Sequence, residues 1–218
     1  MVASRSSDTD VRATTITAAT RLFAAHGFGG TALQDIADAV GVTKPAILHH
    51  FPSKEHIRQA VLDAILSHWN DALPRLLLAA TASADRFDAV FGELHRFFAA
   101  DPDRARLIIR ETLDRPAEIR KLLRGPVRRW HAAIGQYVSA GRDSGHHFAD
   151  VDPEAYVIHI LLLVITATAS SAVATAVLES DAHSRYDREL ARIARASLFP
   201  PTTRDAPRSP IRKRKPAR

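Results

Sequence analysis

The sequence has 218 residues, of which 46% are apolar and 25% charged, and its 30 Lys plus Arg against 24 Asp plus Glu give a formal net charge of +6. This composition is typical of a soluble globular protein with one large or two small domains. The absence of cysteine excludes disulfides, thiolate nucleophiles and Cys-ligated zinc. Residues 1–10 lack the apolar segment of a secretory signal, and we expect a cytoplasmic protein.

The charge excess lies at the carboxyl terminus. Residues 200–218 carry seven basic side chains against Asp205, which equals the whole net charge, so residues 1–199 are neutral. Five prolines and few apolar residues occur in the same segment, and such a composition cannot bury enough apolar surface to offset the entropy of ordering. We therefore predict a disordered basic tail over 200–218.

The pattern of apolar residues predicts an all-α protein. Apolar residues recur at intervals of three and four, and no segment shows the alternation typical of strands. After an arm at 1–9 that we expect to be flexible, helices are predicted over about 10–26, 31–40, 43–51 and 53–74. A larger helical region follows, with helices at about 85–99, 102–113, 116–141 (interrupted at Gly125-Pro126), 153–178 and 184–198, and loops at 81–84 and 142–151.

Three polar residues are candidates for capping these helices. Thr31 and Gln34 have the spacing of a reciprocal cap at the start of the second helix. Ser53 is placed to cap the fourth helix, which must kink or stop near Pro74.

Residues 155–178 contain no Asp, Glu, Lys or Arg and are long enough to span a bilayer. Their second half consists mostly of Ala, Ser and Thr, which partition weakly into lipid. A helix that is apolar all round also occurs in the core of a bundle, so we favour a buried helix and no membrane contact.

Residues 33–51 have the pattern of a helix-turn-helix. Ile36 lies on one short helix, and Ile47 and Phe51 lie on the next; because only a turn at Gly41 separates them, the helices must cross steeply to share one core. In a DNA-binding unit of this kind the second helix enters the major groove. The alternative is a helical hairpin used only for packing.

Residues 41–55, GVTKPAILHHFPSKE, resemble the TetR family of bacterial transcriptional regulators. The N-terminal domain of that family ends with such a turn, a short aromatic-rich recognition helix and a Ser-Lys-Glu start to the next helix. The resemblance is specific over residues 10–66 and architectural beyond them. It implies a helix-turn-helix DNA-binding domain at 10–56, an effector-binding and dimerisation domain at 57–199, and a homodimer formed through helices at about 153–178 and 184–198.

The geometry of a helix-turn-helix predicts DNA contacts at the turn, on the recognition helix and at two neighbouring helix starts. Ala46 suits a thymine methyl, Lys44 suits guanine or phosphate, and Lys54 with the free N–H groups of its helix forms an anion site. Where the family often has an aromatic pair this sequence has Leu48 and His49, and Leu48 cannot donate to a phosphate. The candidates are Thr31, Thr43, Lys44, Pro45, Ala46, Leu48, His49, His50 and Lys54, with His50 equally suited to a packed position.

The resemblance also implies a pocket for a small-molecule effector between the DNA-binding unit and the dimer helices. Its candidate lining residues are Trp69, His95, Phe98, Arg110, Trp130, Tyr137 and His159, although aromatic residues at helical spacing are more often core. The densest histidine group, His146-His147 with Asp150 and Asp152, lacks the spacing that presents two ligands on one helix face, and we predict no metal or other cofactor.

No phosphate loop or nucleophile elbow occurs in the sequence, so we predict no enzyme activity. We expect a sequence-specific DNA-binding regulator: a dimeric repressor that a small-molecule effector releases from a palindromic operator in double-stranded DNA. Residues 1–66 are neutral by count, so bulk charge does not supply their affinity. The alternative is a non-specific, nucleoid-type protein that binds DNA through its basic tail.

Overall fold

The structure is a computed structural model that describes residues 3–79, 83–178 and 181–201. The described residues form helices and their connections: α1 (Ala3–His26), α2 (Leu33–Val40), α3 (Lys44–His50), α4 (Lys54–Ala79), α5 (Ser83–Ala99), α6 (Pro102–Asp114), α7 (Pro116–Leu122), α8 (Arg128–Asp143), α9 (Pro153–Ala169), α10 (Ser171–Thr175) and α11 (Ala182–Ala196). The predicted all-α class is confirmed. Residues 202–218, most of the predicted tail, lie outside the described ranges.

The first three helices and the start of α4 pack around one apolar centre. Phe23 of α1, Ile36 of α2, Ile47 of α3 and Ile57 of α4 are all fully buried there. Each comes from a different helix, so the four segments fold together. They form the predicted N-terminal helix-turn-helix domain.

Helix α4 connects this unit to the larger helical domain. Ile57 and Val61, near its beginning, are buried in the first unit, whereas Trp69 and Leu73, two to three turns further on, are buried among α5 to α9. The apolar core is continuous between the two parts. A single rigid element therefore belongs to both, and the domain boundary predicted at 56 falls at its first turn.

Several predicted helix boundaries differ from the structure, most of them by one or two residues and three by more. Helix α1 begins at Ala3, so residues 3–9 of the predicted arm continue the helix. Helix α4 continues past the exposed Pro74 to Ala79, five residues beyond the point where the sequence predicts a kink or an end. Helix α5 begins at Ser83, and residues 80–82 of the predicted loop lie outside the described ranges.

The predicted helix over 153–178 is two helices, α9 and α10, with the interruption at Ser170. The Ser170 hydroxyl donates to the carbonyl of Thr166 at 2.7 Å. Such a bond back to the preceding turn competes with the hydrogen bonds of the helix and bends it.

The predicted break at Gly125 is confirmed. Residues Leu123–Val127 form one wide turn, and Gly125 leaves helical geometry at φ −96° and ψ −110°.

The uncharged segment raised the question of a membrane span. Among the residues that the structure describes, no helix has both the length and the apolar character needed to cross a bilayer.

Candidate DNA-binding surface and ligand cavity

The turn between α2 and α3 is set by a glycine in the left-handed region. Gly41 has φ 78°, and its N–H donates to the carbonyl of Ala37 at 3.0 Å, as does the N–H of Val42. These bonds satisfy the last carbonyls of α2 and reverse the chain. The next helix begins at once: the hydroxyl of Thr43 accepts the Ala46 N–H at 3.4 Å, and Pro45 occupies the first turn, where no intrahelical donor is lost.

Helix α3 presents a solvent face opposite its buried one. Ile47 is fully buried, and the following Phe51 is 3% exposed. The pairs Lys44 and Leu48, and Pro45 and His49, are each four residues apart, so they lie on the outward side. Of the predicted contacts on this segment, Thr43, Lys44, Pro45, Leu48 and His49 are exposed, whereas Ala46 and His50 are half-buried.

Arg12 is a residue of this surface that the sequence analysis missed. Its guanidinium lies 5.4 Å from the centre of the Phe51 ring, which brings an exposed cation from α1 to the end of α3. The contact joins residues 39 positions apart in the chain, so no local pattern reveals it. Arg12 is therefore a further candidate for a contact with the DNA backbone, the kind of contact that arginine commonly makes.

The prediction that Thr31 caps α2 and contacts DNA is wrong. Thr31 is 1% exposed, and its hydroxyl donates to the carbonyl of Gly27 at 2.9 Å, which satisfies the end of α1. The Ala32 N–H at the start of α2 is instead bound by the carboxylate of Asp35 at 2.7 Å, and Gln34 donates to Asp38. A carboxylate at this position also has the favourable charge for a helix N-terminus.

Lys54 is also engaged in the fold and does not present a free charge to phosphate. Its ammonium donates to the carbonyls of Phe28 and Thr31 at 2.7 and 2.8 Å and lies 4.3 Å from the centre of the Phe28 ring. This lysine fixes the connection between α1 and α2 against α4. The predicted Ser53 cap is confirmed, because its hydroxyl accepts the His56 N–H at 3.3 Å.

The C-terminal domain encloses a cavity of about 190 Å³ between α4, α5, α6, α7, α8 and α9. Its wall is carbon almost throughout, and it has no Asp, Glu, Lys or Arg among its described lining residues. The five lining residues that carry polar groups are Trp69, Trp130, His131, Tyr137 and Tyr156. Burial raises the pKa of Tyr156, so its side chain is a neutral phenol.

Four of the seven predicted effector residues line this cavity: Trp69, Phe98, Trp130 and Tyr137. The other three do not. His95 pairs with Asp187 at 3.2 Å, and Arg110 donates to the carbonyl of Ala25 at 2.8 Å, where a cation stabilises the C-terminus of α1. His159 is exposed because α9 turns only one side toward the cavity.

A buried ion pair joins the two domains. Arg58 of α4 donates to Glu111 of α6 at 2.6 Å, and both side chains are 3% exposed. Arg58 also pairs with Glu55 at 2.6 Å, and Glu55 lies 3.3 Å from Arg115. Sequence spacing reveals only the Glu55 and Arg58 pair, because Glu111 comes from another helix 53 residues away.

The protonation of this pair is set by burial and by mutual attraction. Burial raises the pKa of Glu111, and the neighbouring guanidinium of Arg58 lowers it by less. The half-exposed Glu55 shows the opposite net result: burial acts against its charge, but the hydrogen bond to Arg58 lowers its pKa.

The histidine pair in the loop before α9 divides between core and surface. His147 is 2% exposed, its Nδ1 lies 3.0 Å from the Val138 carbonyl, and its ring packs against Tyr137 and Phe199. Burial lowers the pKa of His147. His146 is exposed beside Ser144. Among the described residues no group of three or more histidines and carboxylates is placed to hold a metal ion.

The fold and this surface define a protein with an N-terminal helix-turn-helix unit on a larger helical domain. Residues 16–61 match the family model of bacterial regulatory proteins, tetR family. By this match the N-terminal unit, residues 16–61, is that of the TetR family of bacterial transcriptional regulators.

Known proteins resemble different extents of the chain. The HTH-type transcriptional regulator RutR of Escherichia coli K12 is 46% identical over 54 residues, 25% of this chain and 26% of RutR. The chain thus matches about a quarter of the length of this curated relative. Two solved structures share the fold over most of their length: a tetR-family regulatory protein from Rhodococcus RHA1, with TM-score 0.70, 20% identity and coverage of 88% and 98% of the two chains, and a putative transcriptional regulator from Saccharomonospora viridis in complex with choline, with TM-score 0.64, 18% identity and coverage of 88% and 100%.

Proposed function

We propose that this chain is a sequence-specific DNA-binding transcriptional repressor that acts as a homodimer and is released from a palindromic operator by a small molecule. The observation that carries the proposal is helix α3, which buries Ile47 and Phe51 and presents Lys44, Leu48 and His49 to solvent. In a helix-turn-helix, a short second helix with one buried face and one exposed face lies in the major groove, with its N-terminal residues toward the bases.

The homodimer is supported by the outward side of α9 and α11. Leu162 of α9 is 49% exposed, and Ile193 of α11 is 43% exposed. Exposed large apolar side chains on adjacent helices are typical of a surface that another chain covers. A two-fold dimer doubles the phosphate contacts of a neutral DNA-binding unit and places two recognition helices on a palindrome.

Control by a small molecule is supported by the course of α4. The helix carries buried residues of the DNA-binding unit at its beginning, and five of its later residues line the cavity. The solved relative from Saccharomonospora viridis holds choline. A ligand that fits the cavity better in one position of α4 than in another shifts the population of the two states, and with it the spacing of the recognition helices.

Binding to the duplex tests the recognition surface. With a palindrome selected from a random duplex pool, Lys44→Ala is expected to weaken operator binding about tenfold or more, because a base or phosphate contact contributes about 1–3 kcal/mol. Lys121→Ala is the matched control, since Lys121 is an exposed lysine of α7, outside the DNA-binding unit. Equal operator affinity of the two variants, both folded by circular dichroism, would contradict the assignment of α3.

Sedimentation tests the dimer. Leu162→Glu is expected to give a monomer in which the fold is kept and operator affinity falls, whereas Leu113→Glu, at a side chain that is 74% exposed on α6, leaves the dimer intact. A Leu162→Glu protein that sediments as a dimer would refute the proposed interface.

A further inference from the structure

Five basic side chains lie on or next to the wide turn Leu123–Val127, which contributes to the wall of the cavity. Leu122, Leu123 and Val127 line the cavity, and Leu123 is also 42% exposed, so this turn forms part of the cavity's mouth. The same segment carries the set that we call the basic collar: Arg120, Lys121, Arg124, Arg128 and Arg129, all exposed.

The charge of the basic collar is not balanced locally. Residues 119–142 contain no Asp or Glu, and within the described ranges none of the five collar residues makes an ion pair. Five cations lie within ten residues, and four of them form two adjacent pairs, Arg120-Lys121 and Arg128-Arg129, on either side of the kink. Such like charges repel one another at some cost in stability. An anion placed at the mouth of the cavity relieves that repulsion.

The interior of the cavity favours an uncharged, apolar group. Protein atoms already bind several of its polar lining residues. Trp130 donates to Asn70 at 3.1 Å, Tyr156 donates to the Ala194 carbonyl at 2.8 Å, and a ring nitrogen of His131 lies 2.9 Å from the Glu154 carbonyl. An ion inside would lose its hydration without a charged partner, which costs several kcal/mol. Only an apolar body fits there.

We infer that the cavity and the basic collar together bind an amphiphilic anion, with an apolar chain or ring system inside and a carboxylate or phosphate at the collar. The inference rests on the proposed function only for its consequence, the release of DNA. An apolar cavity of roughly 150 Å³ holds a benzene ring. This one, at about 190 Å³ and open at the turn, has room for the inner part of a longer apolar chain, whose outer part and polar end extend into the opening.

Intrinsic fluorescence reports occupancy directly, because the chain's two tryptophans, Trp69 and Trp130, both line the cavity. The probes are decanoate, 1-decanol and decyltrimethylammonium near pH 8, three molecules with the same chain and an anionic, neutral or cationic head. We expect decanoate to bind about tenfold more tightly than decanol at low salt, since two or three exposed ion pairs contribute that much, and the cation to bind most weakly. The preference should shrink as salt is added.

Two further comparisons separate the head from the chain. Octanoate is expected to bind about fifteenfold more weakly than decanoate, because each buried methylene contributes about fourfold. Arg124→Glu should abolish the preference for decanoate while decanol binding stays the same, and Arg21→Glu, which makes the same charge change at an exposed arginine of α1, should preserve it.

The inference is overturned if decanol or the cation binds as tightly as decanoate, if chain length has no effect, or if no probe alters the tryptophan signal. Binding only to anionic phosphatidylglycerol vesicles, without a tryptophan change, would also overturn it in favour of a membrane surface. Operator binding is measured separately. If decanoate binds as expected and DNA stays bound, the proposed site is supported and control of DNA binding by this ligand class is refuted. If another molecule releases DNA and decanoate binds no more tightly than decanol, control by a small molecule is supported and the anion site is refuted.

Discussion

The buried pair of Arg58 and Glu111 gives a quantitative test of how the domains are joined. Glu111→Leu removes the carboxylate that lies 2.6 Å from a guanidinium whose side chain is 3% exposed. Breaking a buried ion pair on one side costs about 3–5 kcal/mol, because the remaining charge stays in a poorly solvated place. Arg58 keeps Glu55 at 2.6 Å, so the expected loss in the free energy of unfolding is at the lower end, about 3 kcal/mol.

The double variant separates the cost of an unpaired charge from the value of the pair. Arg58→Met combined with Glu111→Leu leaves neither charge buried, and apolar residues of similar size often replace a buried pair at no loss. We expect the free energy of unfolding of the double variant to lie within about 1 kcal/mol of that of the original protein. The double-mutant cycle should then give an interaction energy between Arg58 and Glu111 of at least about 2 kcal/mol.

Urea unfolding followed by tryptophan fluorescence measures all four proteins. The midpoint should fall in Glu111→Leu and recover in the double variant, with the denaturant slope unchanged. The reasoning is refuted if Glu111→Leu costs less than about 0.5 kcal/mol, or if the double variant is as unstable as the sum of the two single ones.

Three other predictions concern the stability of the fold. Because burial lowers the pKa of His147 in the folded protein, its contribution to stability is complete above the unfolded pKa of about 6.5 and is lost as pH falls through the folded pKa. His147→Asn should therefore flatten the decline in urea midpoint below pH 6.5. An unchanged decline would count against a role for His147. Gly141→Ala should destabilise the fold by about 1–3 kcal/mol, since a Cβ there overlaps the His147 ring. Gly135→Ala on the same helix meets no atom within 4 Å and should be neutral or stabilising. Similar melting temperatures for the two variants would show the packing argument to be wrong. Lys54→Met should cost about 2 kcal/mol through its two lost hydrogen bonds, and a stability equal to that of Lys121→Met would mean that these bonds contribute nothing.

Local signals in the sequence were sufficient for most of the helices and for the recognition unit. Gly41, Thr43 and Ser53 act through bonds to residues three or four positions away, so their types and spacing predict their roles. The same logic failed for Thr31, where a threonine suited to capping is bound to the preceding helix end. Two local solutions compete at that position, and the packing of α1 decides between them.

Roles that depend on distant residues were not predictable from spacing. Lys54 has the charge and the position for a phosphate contact, but two carbonyls more than 20 residues away bind its ammonium. His159 lies in an uncharged segment that reads as fully buried, yet α9 uses only one side for the cavity and leaves the other exposed. Both errors arise because a sequence pattern reports what a side chain is able to do, and tertiary packing determines which partner it finds.

Selection of bound duplexes from a random pool tests the central claim most directly, with the full chain compared with a chain that ends at residue 201. The account predicts that both select the same palindrome, because α3 of each protomer reads one half-site, and that the shorter chain loses only part of its salt-dependent affinity. Recovery of no common sequence by the full chain, together with loss of all binding when residues 202–218 are removed, would contradict it and assign DNA binding to the basic tail.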